Sequence, residues 1–131
     1  MKTLFLIPAR KGSKGLVDKN ILELNSSPLI NYSIDFALNC KSSHDKICVS
    51  SNDDRVIEIA KNKNIEVPFK RPENISCDKS STYDVIKHAL SFYEKTGTNF
   101  SNICLLQPTS PIRDVDDFYK MKNIYIDKSP D

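Results

Sequence analysis

The chain has no tryptophan and only three glycines, and none of its four cysteines belongs to a C-x-x-C pair. Cys40, Cys48, Cys77 and Cys104 lie far apart, whereas a zinc site wants closely spaced ligands. Cys48 and Cys104 sit inside apolar runs, where a free thiol acts as a small hydrophobe. His44 and His88 have no nucleophilic Cys or Ser in a recognisable setting, and no metal site is expected among these residues. No apolar run is long enough to span a bilayer. The opening Met-Lys-Thr-Leu-Phe-Leu-Ile-Pro is too short for a signal sequence and runs at once into charge, so a cytoplasmic protein is expected. Nor is there a surplus of one charge: 19 Lys and Arg face 17 Asp and Glu, a formal +2. That balance gives no support to nucleic-acid or membrane binding. Two familiar phosphate motifs, the Walker A loop and G-x-G-x-x-G, are missing. At 131 residues there is room for one domain, residues 1–131, and one core.

What is present is a regular alternation of strand and helix patterns. Thr3 to Ile7 is an apolar run stopped by Pro8, as in a buried strand. Ser27-Pro28 reads as a helix start, with Leu29, Ile30, Ser33, Ile34, Ala37 and Leu38 on one face. Lys46 to Ser50 predicts a second strand, and Asp53-Asp54 opens a helix carrying Val56, Ile57 and Ala60. Ile65 to Phe69 reads as a short third strand. Ser80, Ser81 and Thr82 offer N-caps for a helix whose Val85, Ile86, Ala89, Leu90 and Tyr93 form an apolar stripe down to Gly97. Ile103 to Leu106 is a fourth strand, and Asp114 opens a last helix with Val115, Phe118 and Met121. Strands separated by such helices imply βαβ units and a mostly parallel sheet.

The residues that carry chemistry follow the strands. After Pro8 comes Ala9-Arg10-Lys11-Gly12-Ser13-Lys14-Gly15, and then Lys19-Asn20. Glycines let the backbone turn and approach a ligand, free N–H groups make an anion cradle, and Arg and Lys supply charge. An ordinary solvated loop would also contain Lys and Gly. Arg71-Pro72 is followed by Asp78 and the hydroxyl run Ser80-Ser81-Thr82, which has two readings: helix capping, or reading a base edge. Gln107-Pro108-Thr109-Ser110-Pro111-Ile112-Arg113 places an amide donor and acceptor at a strand end, or is simply a stiff turn. For Ser50-Ser51-Asn52-Asp53, capping alone is a sufficient explanation.

Taken in order, the segments at 7–20, 71–78 and 105–113 resemble the acylneuraminate cytidylyltransferases, the CMP-sialic acid synthetases and relatives acting on other keto-sugar acids. The resemblance implies a Rossmann-like, three-layer α/β domain with a mostly parallel sheet. It also implies a reaction in which a sugar's anomeric hydroxyl attacks the α-phosphate of CTP, releasing pyrophosphate, with Mg2+ assisting. Arg10, Lys14 and Lys19 would hold the triphosphate with Ser13, and Arg10 and Lys19 would be catalytic. Asn20 and Arg71 would contact the cytidine, and Ser80 to Thr82 would select cytosine. Gln107 would lie between nucleotide and sugar acid, braced by Pro108 and Thr109. Family members are longer, so this chain is expected to be their truncated nucleotide-binding part. The magnesium ligands, most of the sugar-acid pocket and a homodimerisation element would lie in the absent downstream half. Asp114, Asp116 and Asp117 are explained by a helix dipole. The alternatives are a non-catalytic nucleotide-binding remnant and a cytidylyltransferase for another keto-sugar acid.

Overall fold

A computed structural model describes residues 2–12, 18–77, 80–109 and 114–128, with residues 124–128 described by backbone only. Three parallel strands form the main sheet: β1 (Thr3–Pro8) at its centre, β4 (Lys46–Ser50) on one side and β5 (Asn102–Leu105) on the other. Leu4 to Pro8 pair with Lys46 to Ser50, and Thr3 to Leu6 with Asn102 to Leu105. From Leu4 on, β1 is apolar because both its faces are covered. Phe5 and Ile7 point into a core shared with α1 (Leu29–Cys40), α2 (Asp54–Asn62) and α4 (Val115–Lys128). Leu4 and Leu6 point the other way, against Val85, Ala89 and Tyr93 of α3 (Thr82–Lys95). The result is the expected three-layer α/β sandwich with a mostly parallel sheet.

The helix starts follow local chemistry. Asp53 caps α2, its side chain accepting from the N–H of Arg55 at 3.0 Å. Ser81 and Asp84 form a capping box on α3. Asp114 accepts from the N–H of Asp116 at the head of α4, whose Phe118 packs on Phe5 and Phe36 with ring centroids 5.7 and 5.9 Å away.

Several local expectations are corrected. Ile65 to Phe69 joins no strand ladder: Pro68 lacks an N–H, and the segment is held by its side chains instead. Ile65 and Val67 enter one core, and Phe69 packs against His88 and Phe92 in the other. Ser27-Pro28 does not begin a helix; it is β3 (Ser27–Pro28), paired antiparallel with β2 (Glu23–Leu24). Asn25 and Ser26 both have positive φ, 53° and 66°, as a two-residue I′ hairpin turn requires. Pro28 occupies the N-cap of α1 without a side-chain bond, and the Leu22 carbonyl takes the first helical N–H, that of Leu29, at 2.8 Å. On α1, Phe36 and Cys40 are buried while Leu38 is exposed, and on α4 Met121 is exposed. The four cysteines are free thiols. Among the described residues no helix is long and apolar enough to cross a membrane.

Candidate functional site

β1 is where the chain's topology switches. The path goes from β1 through α1 to β4 on one side, then through α2 and α3 to β5 on the other. A crevice therefore opens beyond the carboxyl end of β1, the usual ligand position in open α/β sheets. It is a cleft of about 130 Å³ lined by Pro8, Arg10, Lys19, Asn20, Arg71, Ser80, Ser81, Thr82, Val85, Gln107, Pro108 and Thr109. Every described residue singled out for nucleotide binding thus meets in one place, although the segments are up to about a hundred positions apart in sequence. Ser13, Lys14, Asp78 and Arg113 lie outside the described residues.

Each wall has its own cause. Arg10 follows β1, and its guanidinium donates to the Gly12 carbonyl at 3.2 Å. Gly12 has φ +66°, a left-handed turn that a side chain would strain. Asn20 is buried in a 3-10 turn, Lys19–Ile21, and donates to the Arg10 carbonyl at 3.1 Å, so it ties the two ends of the loop together. Gln107 and Pro108 come directly after β5, where the N–H of Leu106 donates to the Leu6 carbonyl at 2.9 Å and extends the pairing to the mouth of the cleft.

Arg71 is the most constrained member, at 3% exposure. Its Nε donates to Ser50 Oγ at 3.0 Å and one Nη to the Ser50 carbonyl at 2.7 Å, so these described partners are neutral oxygens. Burial, then the charge of Arg10, pull its pKa far below the ordinary arginine range, to about 10. A buried cation whose described partners are all neutral is costly, and an anionic ligand would offset that cost.

The hydroxyl run divides its work. Ser81 is the cap of α3, and Ser80 Oγ accepts from the Cys77 N–H at 3.2 Å within the preceding turn. All three hydroxyl residues line the cleft, and of them Ser81 is the one that also caps α3.

Capping is not a sufficient account of Ser50 to Asp53. Ser51 Oγ donates to the Ala9 carbonyl at 2.5 Å, and the Ala9 N–H donates to the Ser50 carbonyl at 2.9 Å. Asn52 Oδ1 accepts from the Lys11 N–H at 2.7 Å, and its amide donates to the Glu73 carboxylate at 3.3 Å. Ser50 anchors Arg71, as above. This corner is nearly solvent-free and holds the loop from below. A run of four polar residues directly after an apolar strand was the available signal, since burying them demands specific partners.

The described lining residues include no carboxylate. Two acids beside the loop, Asp18 and Asp53, both receive hydrogen bonds from Arg55. Among the described residues no group of three His, Cys, Asp or Glu is placed to hold a metal. The described donor set, cationic and neutral, suits a polyanion and by itself offers no carboxylate to a protein-bound Mg2+.

Comparison with known proteins is consistent with this geometry. The chain matches the family described as Cytidylyltransferase over residues 4–129. It is 37% identical over 116 residues to the pseudaminic acid cytidylyltransferase of Campylobacter jejuni, covering 88% of this chain and 50% of that protein. With the N-acylneuraminate cytidylyltransferase of Escherichia coli it shares 42% over 113 residues, 86% of this chain and 26% of that one. The solved structure of CMP:2-keto-3-deoxy-manno-octonic acid synthetase complexed with CTP has the same fold, with a TM-score of 0.76 at 22% identity. That match covers 97% of this chain and 48% of the synthetase. The chain therefore spans half or less of the length of these relatives.

Proposed function

The chain belongs to the cytidylyltransferase family, and from that premise we propose that it carries the CTP-binding part of an enzyme activating a sialic-type keto-sugar acid. The observation that carries the reading is Arg71, a buried guanidinium held by neutral oxygens in a cleft that also contains Arg10 and Lys19. In this reading Arg10, Lys14 and Lys19 neutralise the triphosphate, with Ser13 completing the cradle, and Arg10 and Lys19 act catalytically. Asn20, Arg71, Ser80 and Thr82 take the cytidine. Gln107, braced by Pro108 and Thr109, faces both nucleotide and sugar acid. Transfer of a nucleotidyl group needs positioning and charge neutralisation above all, and a cationic cleft with anchored side chains supports both. Mg2+ belongs to the proposal through the family only, and when bound it would draw charge from the phosphates. The cytoplasm, a reducing compartment, suits four free thiols.

A second reading, binding without turnover, is favoured by one observation: the cleft's described lining has cations but no acid for a metal. Calorimetric titration with CTP, UTP and ATP tests the binding site, because a site hydrogen-bonded to one base edge discriminates against the others. Equal affinity for all three removes the cytidylyltransferase reading. Pyrophosphate release with a panel of keto-sugar acids then separates enzyme from binding protein. We expect CTP to bind more tightly than UTP or ATP.

A further inference from the structure

One residue outside the cleft bonds the chain where it returns to the cleft. The Arg55 guanidinium donates to both Asp18 oxygens, at 2.7 and 3.2 Å, and to both Asp53 oxygens, at 3.0 and 3.2 Å. Asp53 is the buried N-cap of α2. Asp18 has φ 56°, a left-handed backbone that non-glycine residues adopt rarely. Its carbonyl accepts the N–H groups of Ile21 and Leu22 at 3.0 and 3.2 Å, so the turn carrying Lys19 and Asn20 is built on it.

Exposed ion pairs ordinarily contribute little. This one differs: it is bidentate on Asp18, it shares its cation with a buried acid, and it secures an unusual backbone conformation. The corner after β4 therefore grips the loop twice. Ser51 and Asn52 hold its start through Ala9 and Lys11, and Arg55 holds its return through Asp18.

We propose that Arg55 is a positioning residue for the anion site, pinning Asp18 to the head of α2 so that Lys19 and Asn20 face the ligand. The identity of the ligand rests on the CTP reading above; the clamp itself does not. A purely structural ion pair would stabilise the fold as a whole, whereas a positioning clamp acts locally and on affinity.

The test compares wild type with Arg55→Ala, Arg55→Lys and Asp18→Asn, the last keeping a residue that tolerates the left-handed backbone. Amide hydrogen exchange is read at Ile21 and Leu22 and along β1, and both CTP and inorganic triphosphate are titrated. Arg55→Ala and Asp18→Asn should speed exchange at Ile21 and Leu22 while β1 is unchanged, and should weaken triphosphate binding about tenfold. Lysine, a point charge without the planar fork, should rescue only part of either effect. The double variant should be no worse than Arg55→Ala, because one interaction is removed twice. Uniform acceleration of exchange, or unchanged affinity, overturns the proposal. Binding of inorganic triphosphate but not CTP by wild type would sink the nucleotide reading and leave the clamp to be judged on triphosphate. Binding of neither overturns both.

Discussion

Replacing Arg71 with methionine should separate stability from binding. Folding strips the guanidinium to 3% exposure and leaves it beside Arg10, and its pKa falls to about 10. A fall of that size corresponds to roughly 3 kcal/mol set against the charged form. Methionine removes this cost and keeps much of the side chain's length, but it takes the Arg71 donor from Ser50 Oγ and leaves the Ser50 carbonyl with the Ala9 N–H alone of its two donors. Losing partners for buried acceptors costs about 1–3 kcal/mol. The two effects oppose each other at similar size, so the ligand-free Arg71→Met protein should melt close to wild type. CTP affinity has no such compensation. Loss of a charge-assisted hydrogen bond should weaken it by roughly 1.5–3 kcal/mol, tenfold or more. Thermal melts with and without CTP, together with calorimetric titration, read both quantities. A variant that melts far below wild type yet binds CTP equally well would show that Arg71 is a structural pillar and would refute the reasoning.

Arg10→Ala and Lys19→Ala should each weaken CTP binding tenfold or more, and the wild-type affinity should fall as salt is added; affinity unchanged in both variants removes the cradle assignment. The Arg55 clamp predicts an acid limb to stability. Arg55 hydrogen bonds hold the Asp18 carboxyl below its ordinary range; burial pushes Asp53 up, but bonds from Arg55 outweigh it and that carboxyl too is lowered. Groups lowered on folding contribute fully above the ordinary carboxylate range and lose that contribution as pH falls through their folded values. Urea midpoints taken from neutral to acid pH should therefore drop more steeply for wild type than for Arg55→Ala, and parallel curves would contradict this. Ser81→Ala should destabilise the fold by about 1 kcal/mol through loss of the α3 cap, measured by denaturant unfolding.

Two kinds of feature were legible in the residues alone. Apolar runs and caps are local: β1, β4, the starts of α2 and α4 and the stripe of α3 follow from a few neighbouring side chains. The three ordered segments at 7–20, 71–78 and 105–113 were legible because a family likeness ties distant positions together, and the described members do meet in one cleft. Tertiary structure decided the rest. Ile65 to Phe69 has a strand's alternation, but Pro68 and packing into two different cores keep it out of the sheet. Ser27-Pro28 has a helix start's chemistry, yet a hairpin turn uses it first and the Leu22 carbonyl caps α1 instead. Ser50 to Asp53 looks like a cap on sequence and turns out to hold Ala9, Lys11 and Arg71. Asp18 and Arg55 stand 37 positions apart. A cap or a stripe is written in adjacent residues because its partners are a turn away. A clamp between loop and helix has no local signature, since its geometry exists only after β1 and β4 have paired.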